Sequence, residues 1–264
     1  MSTYAFVDGS SLLSLIESAR KFFDISPDAV FDFGEFFKRE ADAAARTFFY
    51  DAFPDRKPGT DQASHEALLA KSQDLFDRIN SYPGVHVKNG VARFRPKRGQ
   101  EQKGVDILLA IDVYRQAVNG LERAFIFAND GDFYPVLEAL QGTQTRTILK
   151  CIRGKTPKYL YELADQVSYI NELNVVAHFD VVRSTEKTYR VSPMPPSPLQ
   201  NITDQGFQTA RSVIFENGDA YAIYENAGHP DIYAVKGETI LFRARHVGAF
   251  VKFMERDHGL FLKE

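Results

Sequence analysis

The chain opens on a short apolar run, Tyr4-Ala5-Phe6-Val7, which stops at Asp8-Gly9-Ser10-Ser11 and gives way to Leu12, Leu13, Leu15 and Ile16 at helical spacing. A run of that length ahead of a 3.6-residue period reads as a strand that delivers an aspartate to a helix start. The same punctuation recurs downstream. A helix is expected over residues 33–45, a strand over 46–52, and an amphipathic helix over 62–79 with apolar positions 67, 68, 69, 75, 76 and 79. Pro54, Lys57-Pro58-Gly59 and Pro83-Gly84 break the pattern between these elements. Residues 85–88 and 91–95 alternate around Asn89-Gly90, which predicts a tight hairpin and a basic β-ribbon.

A helix over 104–118 leads to Arg123-Ala124-Phe125-Ile126-Phe127-Ala128, an almost unbroken apolar run of the kind buried on both faces of a parallel sheet. Asn129-Asp130-Gly131-Asp132 then turns into a helix over 133–140, followed by a strand at 145–152, a helix at 157–164 and a strand at 167–170. Strands alternating with helices imply a mostly parallel sheet with helices on both faces, a three-layer α/β domain.

Further on the texture changes. Pro193, Pro195, Pro196 and Pro198 crowd together, a composition that favours extended polyproline over a packed element, so residues 184–202 are expected to be a linker. Four short strands, at 211–215, 220–224, 232–235 and 239–242, then read as a meander, with Glu216-Asn217-Gly218-Asp219 as a hairpin turn and a closing helix over 246–254. The expected layout is an α/β domain over 1–183, the linker, and a small α+β module over 203–264. No internal repeat is visible.

Composition narrows the function classes. Hydrophobic residues make up 44% and charged residues 25%, which suits a folded globular chain and argues against disorder. Apolar runs fall short of the ~18–20 residues that a membrane helix needs, and the first residues lack the basic and apolar regions of a signal peptide, so a cytoplasmic protein without a membrane partner is expected. Cys151 is the sole cysteine and sits in a strand-like run, which excludes a disulfide framework and a thiolate zinc cluster. The histidines are scattered, with no zinc-binding pair. A net charge of −3 excludes coating of nucleic acid by charge alone, so any such contact must be local.

The candidate chemistry lies in carboxylates. In open parallel sheets the functional crevice lies beyond the carboxyl ends of the strands. Asp8 ends the first strand, Asp130 follows the 123–128 strand with Asp132 two residues on, and Asp106 opens the helix after the basic stretch. Each alone is cheaply explained as turn chemistry or as an acid favoured by a helix dipole. Together they would repel one another unless a cation offsets them, and hard Mg²⁺ or Mn²⁺ suits an all-oxygen site.

Three blocks carry a resemblance: Phe6-Val7-Asp8-Gly9-Ser10, Lys103-Gly104-Val105-Asp106-Ile107-Leu108-Leu109-Ala110-Ile111-Asp112, and Ala128-Asn129-Asp130-Gly131-Asp132-Phe133-Tyr134-Pro135-Val136-Leu137. In order and spacing they resemble the NYN domains of the wider PIN-like nuclease superfamily, over roughly residues 3–171. The resemblance implies a PIN-like, Rossmann-like three-layer fold and Mg²⁺- or Mn²⁺-assisted hydrolysis of single-stranded or structured RNA. It further implies that Asp8, Asp106, Asp130 and Asp132 hold the metal directly or through water. Ser11, Asn129, Asp112 and Lys103 form an expected second tier of site residues. Ser11 stands where an Asn is common in the family and Ala128 where a Ser or Thr is usual, departures that remove groups able to orient carboxylates or water. Asp112 lies six residues beyond Asp106, which turns it ~120° around the helix; a place near the site and a plain polar helix position weigh evenly.

Residues 88–103 carry Lys88, Arg93, Arg95, Lys97, Arg98 and Lys103 against Glu101 alone, a local +5. Such a run is ordinarily a solvated face, but here it leads into the Asp106 helix, which favours phosphate contacts beside the carboxylates. Phe94 and Tyr50 could stack on unpaired bases, Tyr50 being the better placed to reach the cleft. The expectation is a metal-dependent ribonuclease whose C-terminal module could meet a protein partner, with homo-oligomerisation open. The alternative is a catalytically weak RNA-binding or scaffold protein. A phosphatase or nucleotide-binding protein is disfavoured, because neither G-x-G-x-x-G nor G-x-x-x-x-G-K-[ST] occurs.

Overall fold

The computed structural model describes residues 2–56, 59–95, 99–184 and 189–263, with 91–95, 99–103 and 183–184 described by their backbone alone. The first elements are β1 (Thr3–Asp8), α1 (Gly9–Phe22), α2 (Phe33–Glu40), β2 (Arg46–Phe53), α3 (Gln62–Asn80), β3 (Val85–Arg95), β4 (Gly99–Lys103) and α4 (Val105–Val118). They are followed by β5 (Arg123–Phe127), a 3₁₀ turn at Gly131–Phe133, α5 (Tyr134–Leu140), β6 (Arg146–Cys151), α6 (Lys158–Tyr161) and β7 (Gln166–Tyr169). The remainder comprises α7 (Glu172–Val176), α8 (Asp180–Ser184), β8 (Val191–Pro198), α9 (Gln200–Thr203), β9 (Gln208–Ile214), β10 (Ala220–Glu225), β11 (Ile232–Lys236), β12 (Thr239–Ala244) and α10 (Val247–Phe253).

Contacts divide the chain into two compact units, Met1–Leu15 with Asp32–Tyr169, and Ile16–Phe31 with Ile170–Glu264. This differs from a boundary at 183, because residues 16–31 and 170–183 belong with the C-terminal module. The reason is long-range packing within that unit: Phe31 meets Phe179 edge-on at 5.3 Å, and the Lys252 ammonium of the module pairs with Glu172 at 3.0 Å.

The first unit is built on a seven-stranded sheet in the order β4-β3-β2-β1-β5-β6-β7. Six of these strands run parallel and β4 pairs antiparallel to β3. Strand parity assigns the two faces. Phe6, Tyr50, Ile126 and Leu149 pack into one core with Val105, Leu109 and Val113 of α4 and Leu137 of α5. On the opposite face Phe49 meets Phe33 of α2 at 6.3 Å, and Phe127 meets Phe36 at 6.1 Å. Burying each such side chain contributes about 1.5–3 kcal/mol.

Local chemistry sets most helix ends. The Asp32 carboxylate accepts from the Glu35 amide at 3.0 Å and caps α2, and Asp61 does the same for α3 through Ser64 at 2.8 Å. The expected 33–45 helix stops at Glu40, since Asp42 and Ala43 adopt φ of 51° and 49°, outside helical space.

Asn89-Gly90 does not turn. β3 runs straight through it, Asn89 pairing with Asp51 and Gly90 with Ala52, and the hairpin forms instead between β3 and β4. A Cβ at Gly90 would collide with the Val105 side chain, so this glycine serves close packing of α4 on the strand.

The second unit carries a five-stranded antiparallel sheet in the order β8-β12-β11-β10-β9. One face packs Phe215, Tyr221 and Ile223 on Phe250 and Met254, and Ile202 and Phe207 cover Tyr233, Val235 and Ile240 in a separate cluster. The stretch expected as a polyproline linker contains β8, paired with β12 from Val191↔Ala244 to Pro198↔Thr239. Prolines are tolerated there because β8 is an edge strand and need donate on one side only. Among the described residues no helix is long and apolar enough to cross a membrane.

Candidate active site

The strand order places β1 between β2 and β5, so the chain winds outward in one direction through β2 and β3 and in the other through β5, β6 and β7. Beyond the carboxyl ends of β1 and β5 the flanking connections diverge and leave a crevice. Asp8 is the last residue of β1 and Asp130 caps the 3₁₀ turn after β5 by accepting from the Asp132 amide at 3.0 Å. Asp106 comes from the first turn of α4. Asp8, Asp106, Asp130 and Asp132 all line one open cleft of about 1100 Å³.

Asp8 is held firmly. It is buried, and its Oδ1 accepts from the Ser10 hydroxyl at 2.8 Å and from the Ser11 amide at 3.3 Å. Burial raises its pKa, the Ser10 and Ser11 hydrogen bonds oppose the rise, and the Asp130 charge adds to it. Gly9 lets the chain make this turn: a Cβ there would lie 2.6 Å from the Phe49 ring and 2.7 Å from the Tyr50 carbonyl oxygen. Asp106 is half-buried, and burial together with the charges of Asp8, Asp130 and Asp132 pushes its pKa up to about 6. Mutual repulsion of this kind marks a place where a cation would be welcome.

Asn129 fixes the loop after β5. Its Oδ1 accepts from the Ile152 amide at 2.6 Å and from the Thr156 hydroxyl at 2.8 Å, while its Nδ2 donates to the Ser11 hydroxyl oxygen. Ser11 therefore braces Asn129 with its hydroxyl and Asp8 with its amide. Ala128 is buried in the α4-facing core, so its side chain has no part in orienting the carboxylates.

Other expected site residues are not brought to the cleft. Asp112 is buried, accepts from the Tyr50 hydroxyl at 3.0 Å and is ion-paired to Arg115. Tyr50 has no exposed surface and belongs to the core, which excludes stacking on a base; parity along β2 turns it onto α4 rather than into the crevice. The Lys88 ammonium lies 5.8 Å from the Phe48 ring and lines no part of the cleft. Lys97 and Arg98 lie outside the described residues, as do the side chains of Arg93, Phe94, Arg95 and Lys103.

The cleft also holds residues that sequence reasoning passed over. A second arm of about 490 Å³ shares Asp8, Ser10, Asp130 and Gly131 with the first and adds Ser11, Ser14, Asn129 and Lys155. Lys155 follows β6, the next parallel strand out, and the signal for it was the same strand-end rule that found the aspartates. A separate pocket of about 380 Å³ is lined by Asp32, Thr47, Tyr82 and Val85, at the amino ends of β2 and β3 and away from this chemistry. Among the described residues no three His, Cys, Asp or Glu side chains are grouped so as to hold a metal by themselves. The residues that could contribute to holding one are the four aspartates.

The NYN domain family profile matches residues 3–171, which spans both parallel flanks of the sheet and every carboxylate of the cleft. The chain belongs to the NYN domain family. NYN domains are a PIN-like nuclease family, so nucleic acid is the substrate class that goes with this fold. No curated protein sequence matches the chain significantly. Among solved structures, a protein of unknown function from Vibrio parahaemolyticus is similar at 17% identity and a TM-score of 0.39, covering 64% of this chain and 91% of its own.

Proposed function

We propose that this NYN domain is a metal-dependent ribonuclease that hydrolyses RNA phosphodiester bonds in the cleft lined by Asp8, Asp106, Asp130 and Asp132. One observation carries the reading: the switch-point crevice gathers carboxylates from three separate stretches of chain, where burial together with the neighbouring charges raises the pKa of Asp106 to about 6. The donor set fits a hard cation, since among the described residues no His or Cys lines the cleft. Mg²⁺ or Mn²⁺ keeps several waters and shares its shell with substrate phosphate, so it does not require a closed set of protein ligands. Bound there, the ion would neutralise phosphate charge and acidify an attacking water.

The chain's own side chains supply the framework. Ser10 and Ser11 orient the Asp8 carboxylate, Asn129 holds the β5 loop that carries Asp130 and Asp132, and Lys155 offers a positive charge to a neighbouring phosphate. The antiparallel module is the part proposed to steer substrate or partner choice.

The test is cleavage of end-labelled RNA in Mg²⁺, Mn²⁺ and excess chelator, with calorimetric titration of Mn²⁺ alongside. Cleavage is expected to require the ion and to fall on the order of 100-fold or more in Asp8→Asn and Asp130→Asn, in keeping with the several kcal/mol that metal stabilisation supplies. Cleavage that continues unchanged in Asp130→Asn or in chelator would eliminate the site. A second reading, RNA binding without turnover, draws support from Ala128: the group expected beside the acidic turn is replaced by a core methyl. RNA binding with no cleavage in any metal would select it.

A further inference from the structure

The lining of the cleft is not all acidic. Beside the carboxylates it includes Ile107, Ala110 and Ile111 from α4 and Tyr134, Pro135 and Val136 from α5. Ile107 is 65% exposed, Ile111 55% and Tyr134 37%. Branched aliphatic side chains at solvent-facing positions of a helix lose rotamer freedom and gain no burial, so local helix stability does not explain them. Ile107 and Ile111 lie four residues apart on one helix face, and the same cleft is lined by a tyrosine whose ring is already oriented. The Tyr134 hydroxyl donates to Glu138 at 2.9 Å, and its ring meets Tyr159 edge-on at 5.8 Å. Tyr159 in turn fills the space where Gly131 has no Cβ, which ties the aromatic pair to the acidic turn itself.

The wall has no charge of its own and is continuous with the carboxylates, since Asp106 precedes Ile107 and Asp132 lies two residues before Tyr134. On the nuclease reading an occupant would present an apolar face to this wall while its phosphate sits against a cation held by the acidic side or on Lys155 in the other arm. An unpaired nucleobase joined to the reacting phosphate meets that description. A base inside a duplex does not, because both of its faces are already stacked.

Building on the nuclease reading, we infer that Tyr134, Ile107 and Ile111 form a nucleobase platform that receives an unpaired base next to the reacting phosphate and so selects single-stranded nucleic acid. The phosphate on the other side of the scissile bond runs toward Lys155.

The experiment uses the full chain and a fluorescein-labelled 12-nucleotide RNA, single-stranded or annealed to its complement. Binding is read by anisotropy in Ca²⁺ and cleavage by gel in Mn²⁺, for wild type, Tyr134→Ala, Tyr134→Phe and Ile111→Thr, with melting curves confirming folding. Tyr134→Ala is expected to weaken single-strand binding about tenfold, the size of one lost stacking contact, and to leave duplex binding unchanged. Tyr134→Phe keeps the ring and should stay within about twofold of wild type, and Ile111→Thr should fall between the two. Equal single-strand binding by Tyr134→Ala and wild type overturns the platform, and does so without touching the nuclease reading if Asp130→Asn still abolishes cleavage. Tyr134-dependent single-strand binding with no cleavage supports the platform and removes the nuclease. Absence of binding to either RNA overturns both. A change in sedimentation of Tyr134→Ala at unaltered RNA affinity assigns the wall to a second copy of the chain and overturns the platform.

Discussion

The Asn129 side chain donates to the Ser11 hydroxyl, joining the loop after β5 to the first turn of α1 directly beneath Asp8 and Asp130. Its other end accepts from the Ile152 amide and the Thr156 hydroxyl, so one amide spans three carboxyl-terminal strand ends. Asn129→Ala leaves the amide of buried Ile152 without its acceptor, which should cost about 1–3 kcal/mol of stability. RNA cleavage should fall by about 10–100-fold as the acidic loop loses its brace. Ser11→Ala removes a single partner and should lie well inside those bounds. Urea unfolding and initial-rate assays at matched protein concentration check both.

Asp106 offers a different kind of test, because its ionised form is held among like charges. Asp106→Asn should make the chelator-treated protein more stable at neutral pH, on the order of 1 kcal/mol once solvent screening of a half-exposed group is allowed for. Saturating Mn²⁺ should erase that advantage by stabilising the wild type alone. The same substitution should abolish cleavage. Paired melting curves with and without Mn²⁺ measure the effect, and an unstabilised variant would show that the four aspartates do not repel as described.

The phosphate contact proposed for Lys155 predicts a salt-dependent part of substrate binding. Lys155→Ala should weaken single-stranded RNA binding at low salt and reduce the slope of log K against log salt by about 0.7, the contribution of one phosphate contact on a single strand. Lys155→Arg should restore the slope. A slope that does not move would remove Lys155 from the substrate path.

The second unit has its own pH signature. Burial alone would raise the pKa of Glu172, but the Ser18 hydroxyl at 2.6 Å and the Lys252 ammonium at 3.0 Å outweigh it and hold the carboxyl below its ordinary 4.5. A depressed carboxyl contributes stability that is fully present above pH 4.5 and is lost as pH falls through the folded-state value. Melting temperature should therefore drop more steeply below pH 4.5 in wild type than in Glu172→Gln, the two curves converging in acid. At neutral pH the variant should be less stable by up to about 3 kcal/mol, since Lys252 retains Glu255. Parallel pH profiles would contradict this.

Much of the α/β unit was legible because its signals are local and repeated. Short apolar runs ending in Asp or Gly mark parallel strands, and the strand-end rule by itself points to Asp8 and Asp130. Where the reading failed, tertiary pairing overrode a local preference. Asn89-Gly90 has the composition of a turn, yet it lies within seven consecutive pairs between β2 and β3, and the missing Cβ of Gly90 admits Val105. Tyr50 was read by its position at a strand end, whereas its burial follows from which face it takes. Asp112 carries a charge that the cleft does not use, because the helix turns it toward Tyr50 and Arg115. Lys155 obeys the same strand-end rule, whereas the Ile107, Ile111 and Tyr134 wall leaves no local trace, since its meaning comes only from the carboxylates that share its cleft.

The proline-rich strand has one more consequence. β8 forms an outer edge of the antiparallel sheet, and Pro193, Pro195, Pro196 and Pro198 along it have no amide hydrogen to offer a newcomer. The sheet is thereby sealed against lateral growth on that flank, a safeguard against runaway self-association. The opposite margin, Gln208–Ile214, carries no proline, and its last carbonyl, that of Ile214, is covered instead by the Lys263 amide at 2.9 Å.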